Sequence, residues 1–512
     1  MSIITRRKFL KVSATIAALG HLSDLSFLAP LSHASANHPV IAPDEVRLDP
    51  DIAALIRLIR ITPRDECVPV FVRRLRAGLS YRDFLAALFL ASFESNDLHH
   101  VLQIYSAHRI GSEARAEERL LPLFWALDRI KQGYEEGPAE PPRAMPEGAL
   151  PSAERATAVF RDAMTRSDPN QAEQAIVALA RSLGARRAMA QLWEYGARNV
   201  SGTLGHHPIT VANAWRTLHA LEWQNAEPVL RYIARYFSGF QGDRTYTANV
   251  ERVKKTLPAL AAGWASDEPC RAATLEVYGL LRAGDADATC DLVCAQLSSG
   301  EVKAGALWDA VHLVAADLLF RYRTGGSLIG SVLIHAVTTT NALRFGFDHS
   351  SGGRVRLLML LQGIGALGDV FIGPAQKEGQ LRQMNLLDLE ADTSERRLKV
   401  ADVFSILPYK SNGYVESDPS ERKASDRACR LLYSLLRDPK NYHLFRQAAR
   451  SFLCIKASSD PHDIKYPAAA FEDALRIERR WRPYLLAASV HALHGTKSRD
   501  TRVLAAAREG LR

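Results

Sequence analysis

The sequence predicts an all-α protein, a single large multi-helix domain of packed helix pairs around a central metal pocket. Three observations lead there. Nearly every segment with a clear period repeats its apolar residues at intervals of three and four, the spacing of one face of an α-helix. Alternating β-branched runs bounded by turn signals, the mark of strands, are almost missing from the 512 residues. Histidines recur in or beside the apolar helical stretches, where an imidazole needs a partner for both ring nitrogens.

The first 36 residues stand apart from that pattern. Thr5-Arg6-Arg7-Lys8-Phe9-Leu10-Lys11 reads as a twin-arginine signal, addressed to export machinery that carries folded proteins across a membrane. The stretch from Val12 to Gly20 is only moderately apolar and too short for a span of roughly 20 residues. Ala34-Ser35-Ala36 is an A-x-A cleavage site, so residues 1–36 are expected to be removed and residues 37–512 to form the mature, periplasmic or secreted protein. No later stretch reads as a stable membrane span. Arg6, Arg7, Lys8 and Lys11 against Asp24 give the leader a net +3, leaving about +6 of the formal +9 on the mature chain. No dense Lys/Arg run with interleaved aromatics occurs, which argues against nucleic acid as a partner.

Along the mature chain, residues 81–90 form the first clear helical period, opened by Ser80 as an N-cap. Residues 156–160, 172–183, 215–221, 272–281 and 306–320 repeat the same spacing. Two polar stretches, 133–153 and 408–426, read as long surface loops. Similar Ala/Leu-rich helices lie on both sides of each, so neither divides the chain into domains. Helix pairs recur without a fixed period, which leaves a regular solenoid unindicated. The six cysteines form no CxxC pair, and Cys290 and Cys294 lie one helical turn apart, where disulfide geometry is unfavourable. They are expected to be small apolar residues of the core.

Histidines stand out at four places: Leu98-His99-His100-Val101-Leu102, Gly205-His206-His207-Pro208-Ile209, Ile334-His335-Ala336-Val337-Thr338, and Asp460-Pro461-His462-Asp463-Ile464-Lys465. His108 is half a turn out of phase with His99 and cannot share its face. His312, His491 and His494 are further candidates, and spacing alone does not choose among them. His462 and Lys465, three apart, would share a helix face. Asp460 with Pro461 makes a good helix start, while Pro467 should kink or restart the helix. A desolvated Lys465 would lose its proton and become reactive toward carbon dioxide, and the carbamate formed is an anionic oxygen ligand.

At these four places the chain resembles the questin oxidase-like family of ring-cleaving oxygenases. The pattern is carried by His99-Leu102-Tyr105, His206-Ile209, His335-Val337-Thr338-Ala342-Leu343 and Asp460-His462-Lys465, in that order and spread over most of the mature chain. The chain also looks like uncharacterised exported bacterial proteins. The family resemblance implies an α-helical fold and a mononuclear non-haem Fe(2+) held by His99, His206, His335 and His462, with carboxylated Lys465 supplying an oxygen ligand. It implies oxygen-dependent opening of a hydrophobic, cyclic, quinone-like substrate, with that small molecule and molecular oxygen as partners. The doubled histidines leave His100 and His207 as alternative ligands, and the export signal is not expected of the fungal members. Tyr105, Thr338 and Asn341 are candidates for orienting the imidazoles. Zinc with hydrolytic chemistry, and a non-catalytic helical binding or scaffold protein, are the competing expectations.

Overall fold

Apolar stripes at helical spacing are stable only when they lie against one another, and in the computed structural model nearly every such stripe does. The structure describes residues 43–95, 97–137, 145–324, 330–391, 399–410 and 416–512. They belong to one compact unit, Ile41–Arg512. The export signal expected over residues 1–36 lies outside the described residues.

Helices of eight residues or more are numbered in chain order. The N-terminal group is α1 (Pro50–Ile61), α2 (Arg64–Arg76), α3 (Tyr81–Ser92), α4 (Leu98–Ser112) and α5 (Leu121–Glu136). Then come α6 (Ala153–Arg166), α7 (Pro169–Leu183), α8 (His206–Ala220), α9 (Ala226–Ser238), α10 (Arg244–Thr256), α11 (Arg271–Arg282) and α12 (Ala286–Ser299). The centre holds α13 (Ala304–Arg321), α14 (Gly330–His349) and α15 (Gly353–Gly365). The chain closes with α16 (Pro419–Leu435), α17 (Lys440–Lys456), α18 (His462–Arg476), α19 (Arg482–Ser489) and α20 (Arg502–Leu511). The described residues contain no extended strand; an isolated antiparallel bridge joins Tyr322 and Leu381.

The expected helices all appear. Ser80 caps α3 by accepting from the Asp83 backbone N–H. Neighbours in sequence pack as pairs, α4 with α5, α6 with α7 and α14 with α15. α13 is buried along its whole length, its Asp309, His312, Asp317 and Arg321 enclosed together with its apolar residues. Four helices distant in sequence close a ring: α4 packs on α8, α8 on α14, α14 on α18, and α18 back on α4. That ring positions the site.

Several expectations are corrected. The loop expected from residue 133 begins later, because α5 runs to Glu136. Gly133 is a buried helix residue rather than a turn former, and a Cβ there would overlap the His100 ring. Residues 138–144 of that loop lie outside the described residues. The loop expected over 408–426 ends earlier, since Asp418 caps α16 from Pro419 onward, and 411–415 are not described. Pro467 does not restart α18: it sits within one continuous helix, packed among buried neighbours, and the N-cap of that helix is Pro461 rather than the expected Asp460. Gly353–Lys377, which runs from α15 through a π-helical turn at Ala366–Ile372, is long and apolar enough to cross a membrane by length and composition. In this fold 78% of its apolar stretch is buried inside, so it serves as core. All six cysteines are free; Cys67, Cys290, Cys429 and Cys454 are buried, while Cys270 and Cys294 are partly exposed.

Candidate metal centre

Two of the four imidazoles are aimed by the same local device. Asp97, the N-cap of α4, accepts through Oδ1 both the backbone N–H of His99 and its ring Nδ1–H, each at 2.8 Å. Asp460 Oδ1 does the same for His462 at the start of α18, at 2.8 Å from the backbone N and 2.6 Å from Nδ1. A short acidic side chain two residues before a helical position reaches back to that backbone N–H. When the residue is histidine the carboxylate also takes the Nδ1 proton, which leaves Nε2 as a lone-pair donor.

His206 is placed differently. It is the first residue of α8, after Leu204 and Gly205 in the left-handed region, with Gly205 at φ +80°. A Cβ on Gly205 would overlap the Thr339 hydroxyl of α14. The missing side chain therefore lets the start of α8 press against α14, which carries His335. Pro208 is tolerated because the first-turn N–H groups have no intrahelical acceptor.

The nitrogens converge. His206 Nε2 and His335 Nε2 face each other at 2.8 Å, and His462 Nε2 stands 3.4 Å from His335 Nε2. Ligand nitrogens of His99, His206 and His335 all lie within 4.8 Å of one another. The His99 ring centroid is 4.7 Å from that of His206 and 5.4 Å from that of His462. His99 Nε2 is buried without a hydrogen-bond partner, and so is Lys465 Nζ on α18. Converging imidazole nitrogens with a buried orphan among them fit a metal ion, since native interiors rarely leave such atoms unpaired.

The electrostatics agree with that reading. Burial, then the nearby charges of Lys465 and neighbouring imidazoles, pushes His206 down to about 2. His462 falls to about 2 for the same reasons. Burial lowers Lys465 to about 7, so a large part of it is neutral near neutral pH. Burial pushes the Asp97 carboxyl up, but the hydrogen bonds and charge of His99 outweigh it and hold the group below the usual carboxylate range. Asp460 is raised by burial, partly offset by the bond from the His462 backbone.

The doubled histidines are resolved by which member faces the ring of helices. His100 Nδ1 is paired with Ser95 Oγ at 2.8 Å. His207 is enclosed by Tyr236, Phe237 and Phe240, with ring centroids 5.2, 4.6 and 4.4 Å away. Neither shares the cluster. His108 also stays outside it, accepting from the Tyr81 hydroxyl at 3.0 Å, and His491 pairs with Glu416. His312 Nδ1 lies 3.4 Å from Asp473 Oδ2.

The expected imidazole-orienting groups are corrected. The Thr338 hydroxyl donates to carbonyls of its own helix, at Ile334 and His335. Asn341 donates to Asp473 and Glu472 and accepts from Arg216. Tyr105 lies under the same Arg216 guanidinium, 5.1 Å from its ring centroid. These residues serve a buried polar tie. Arg216 of α8 donates to Asn213 of its own helix, to Asn341 of α14 and to Glu472 of α18, while Asn213 donates to Leu102 O of α4. All four helices of the ring are thereby joined. Asp97, Gly205 and Arg216 escaped the sequence reading. The Asp-x-His unit repeated at 97–99 and 460–462 was the available signal for the first.

Together these features define an all-α domain with a largely buried three-histidine metal-binding site, His99, His206 and His335, and His462 at its edge. No family model, no curated protein and no solved structure matches the chain.

Proposed function

We propose that this chain is an exported non-haem iron-dependent oxygenase related to the questin oxidase-like family, with His99, His206, His335 and His462 as imidazole ligands. The observation that carries the reading is the convergence of His206, His335 and His462 Nε2 beside an unpartnered buried His99 Nε2. Four neutral nitrogens with an oxygen ligand and an open position suit iron(II). Lys465 would supply that oxygen ligand as its carbamate: the neutral amine would add to carbon dioxide and release one proton, turning an unpartnered buried amine into an anion that the metal can pair. Iron(II), when bound, supplies one coordination sphere for dioxygen and for an enolate or phenolate oxygen of the substrate.

The chain's own residues do the rest. Asp97 and Asp460 retain the Nδ1 protons, so that Nε2 of His99 and His462 point into the centre with their lone pairs. Beside Asp97, Phe93 and Tyr232 meet edge to face at 4.9 Å, and Tyr232 stacks on Tyr236. Burial, then Tyr236 and the Asp97 charge, raises Tyr232 to about 12. Tyr232 and Tyr236 are partly exposed over buried Phe93, and this aromatic strip supports a hydrophobic, cyclic substrate.

A second reading is a zinc-dependent hydrolase, favoured by the three-histidine set itself, a donor pattern that catalytic zinc also uses. Elemental analysis of natively exported protein separates the two. Iron near one per chain, lost in His206→Ala and His335→Ala, is expected; zinc, or two metals per chain, favours hydrolysis. Folded protein that retains no metal, or binding unchanged in both variants, would overturn the metal reading. Export is tested separately: replacing Arg6 and Arg7 by lysine is expected to leave an uncleaved protein in the cytoplasm.

A further inference from the structure

Asp463 follows the ligand His462, and its carboxylate is fully buried. One oxygen, Oδ2, accepts the Ser458 backbone N–H at 2.6 Å and the His494 Nε2–H at 2.8 Å. His494 Nδ1 in turn accepts from the Ser498 hydroxyl at 3.0 Å, which gives each ring nitrogen one role and fixes the tautomer. The backbone just before His494 is immobilised by buried Lys410, whose Nζ donates to the carbonyls of Val490, His491 and Leu493.

The segment that Asp463 grips is the one that aims His462. Ser458 Oγ accepts the Asp460 backbone N–H at 3.1 Å, and Asp460 holds both the backbone and the ring of His462. Trp125 and Arg129 of α5 fix the same turn by donating to the carbonyls of Ser458 and Ser459. Hydrogen bonds therefore run without a break from His494 through Asp463, Ser458 and Asp460 to the His462 imidazole.

We propose that His494 is a positioning residue for the metal centre, holding the Asp463–Ser458–Asp460 turn so that His462 Nε2 stays aimed at the point where the other imidazoles meet. The inference rests on the proposed metal ligation by His462. Without the His494 donor, Asp463 is a buried acceptor with one partner fewer, at a cost that favours rearrangement of the turn. A ligand must be held to within about half an ångström to count as one. The Ser498–His494–Asp463 sequence also has the residue types of a nucleophilic triad. Ser498 is buried (7% exposed), however, and Asp463 is committed to the turn that carries a metal ligand.

Two substitutions separate the two ends of the imidazole. His494→Gln keeps an N–H donor where Nε2 reaches Asp463; His494→Asn keeps only the Nδ1 side, toward Ser498. Anaerobic iron(II) titration gives the affinity, and cobalt(II) loading with X-ray absorption counts the imidazoles. Wild type is expected to show four and His494→Asn three, with affinity lower by about 10- to 100-fold. His494→Gln is expected to recover most of the affinity and the fourth imidazole. His108→Ala, which removes a largely enclosed histidine bonded to Tyr81, is expected to cost stability and leave affinity and count unchanged. Equal affinity and four imidazoles in both His494 variants would overturn the positioning role while the metal reading stands. Equal loss in both overturns it too, since the Asp463 bond would then not be what matters. A wild-type protein that binds neither metal, or binds without His462, sinks the underlying ligation and this inference with it.

Discussion

A single carboxylate oxygen decides the orientation of His99, and another decides that of His462. Each accepts one backbone and one ring N–H: Asp97 caps α4, Asp460 grips the first residue of α18 from the position before its N-cap Pro461, and both select the tautomer. Asp97→Asn or Asp460→Asn keeps the shape and removes the charge that favours Nδ1 protonation. Each change is expected to weaken metal affinity by about 10- to 100-fold with little change in thermal stability, read by anaerobic metal titration beside a melting curve. Affinity equal to wild type in both would show that the aspartates only hold the first backbone N–H of their helices. Gly205 acts by what it lacks. Gly205→Ala meets a left-handed backbone penalty of about 1–2 kcal/mol and also collides with Thr339. Gly78→Ala carries a comparable backbone penalty at φ +102° with open space around it. The first is expected to abolish tight metal binding and the second to leave it intact; equal metal affinity in the two would refute the packing role of Gly205.

At the scale of elements, the four ligand helices are held as a set by the buried Arg216 tie rather than by apolar contact alone. Removing one member of a buried pair typically costs about 3–5 kcal/mol, because the remaining charge is stranded. Glu472 keeps Arg476 as a second partner at 3.0 Å, which places Arg216→Met near the lower end, about 3 kcal/mol. The variant is expected to lose metal affinity as well, since α8, α14 and α18 lose their common tie. Urea unfolding with metal present and absent measures both, and a stability loss without any loss of affinity would confine Arg216 to the fold. Pro467 teaches the complementary lesson about elements. Its ring breaks one backbone hydrogen bond of α18, yet the helix continues because its surroundings are buried and close-packed.

For the whole molecule, the largely enclosed histidines outside the centre set an acid limit. Burial first of all holds His108, His349 and His491 down to about 4. Between about pH 4 and the ordinary histidine value of 6.5 the unfolded chain takes up protons that the native protein does not. The free energy of unfolding must then fall as the pH falls through that window. Urea midpoints measured with a chelator present, so that metal release does not contribute, are expected to drop steadily from pH 6.5 toward 4.5. A midpoint that stays flat over that range would mean that these imidazoles protonate without unfolding.

Helical class and the approximate course of the helices follow from local periodicity, because a helix face is written in residues three and four apart. The Ser80 cap and the stripes over 172–183 and 306–320 were all legible for that reason. His99, His206, His335 and His462 were singled out through a resemblance, and their convergence depends on four helices separated by more than a hundred residues between neighbours in the case of His99 to His206, His206 to His335 and His335 to His462. Only the tertiary structure decided which member of each histidine pair faces the centre, because adjacent residues on a helix point about 100° apart and the packed partner chooses between them. It also decided that Gly133 and Gly205 are packing glycines and that Pro467 stays within a helix. Tyr105 and Asn341 likewise serve Arg216 rather than an imidazole. A glycine, a proline or an amide has the same local spelling in either role, and what differs is the surface pressed against it.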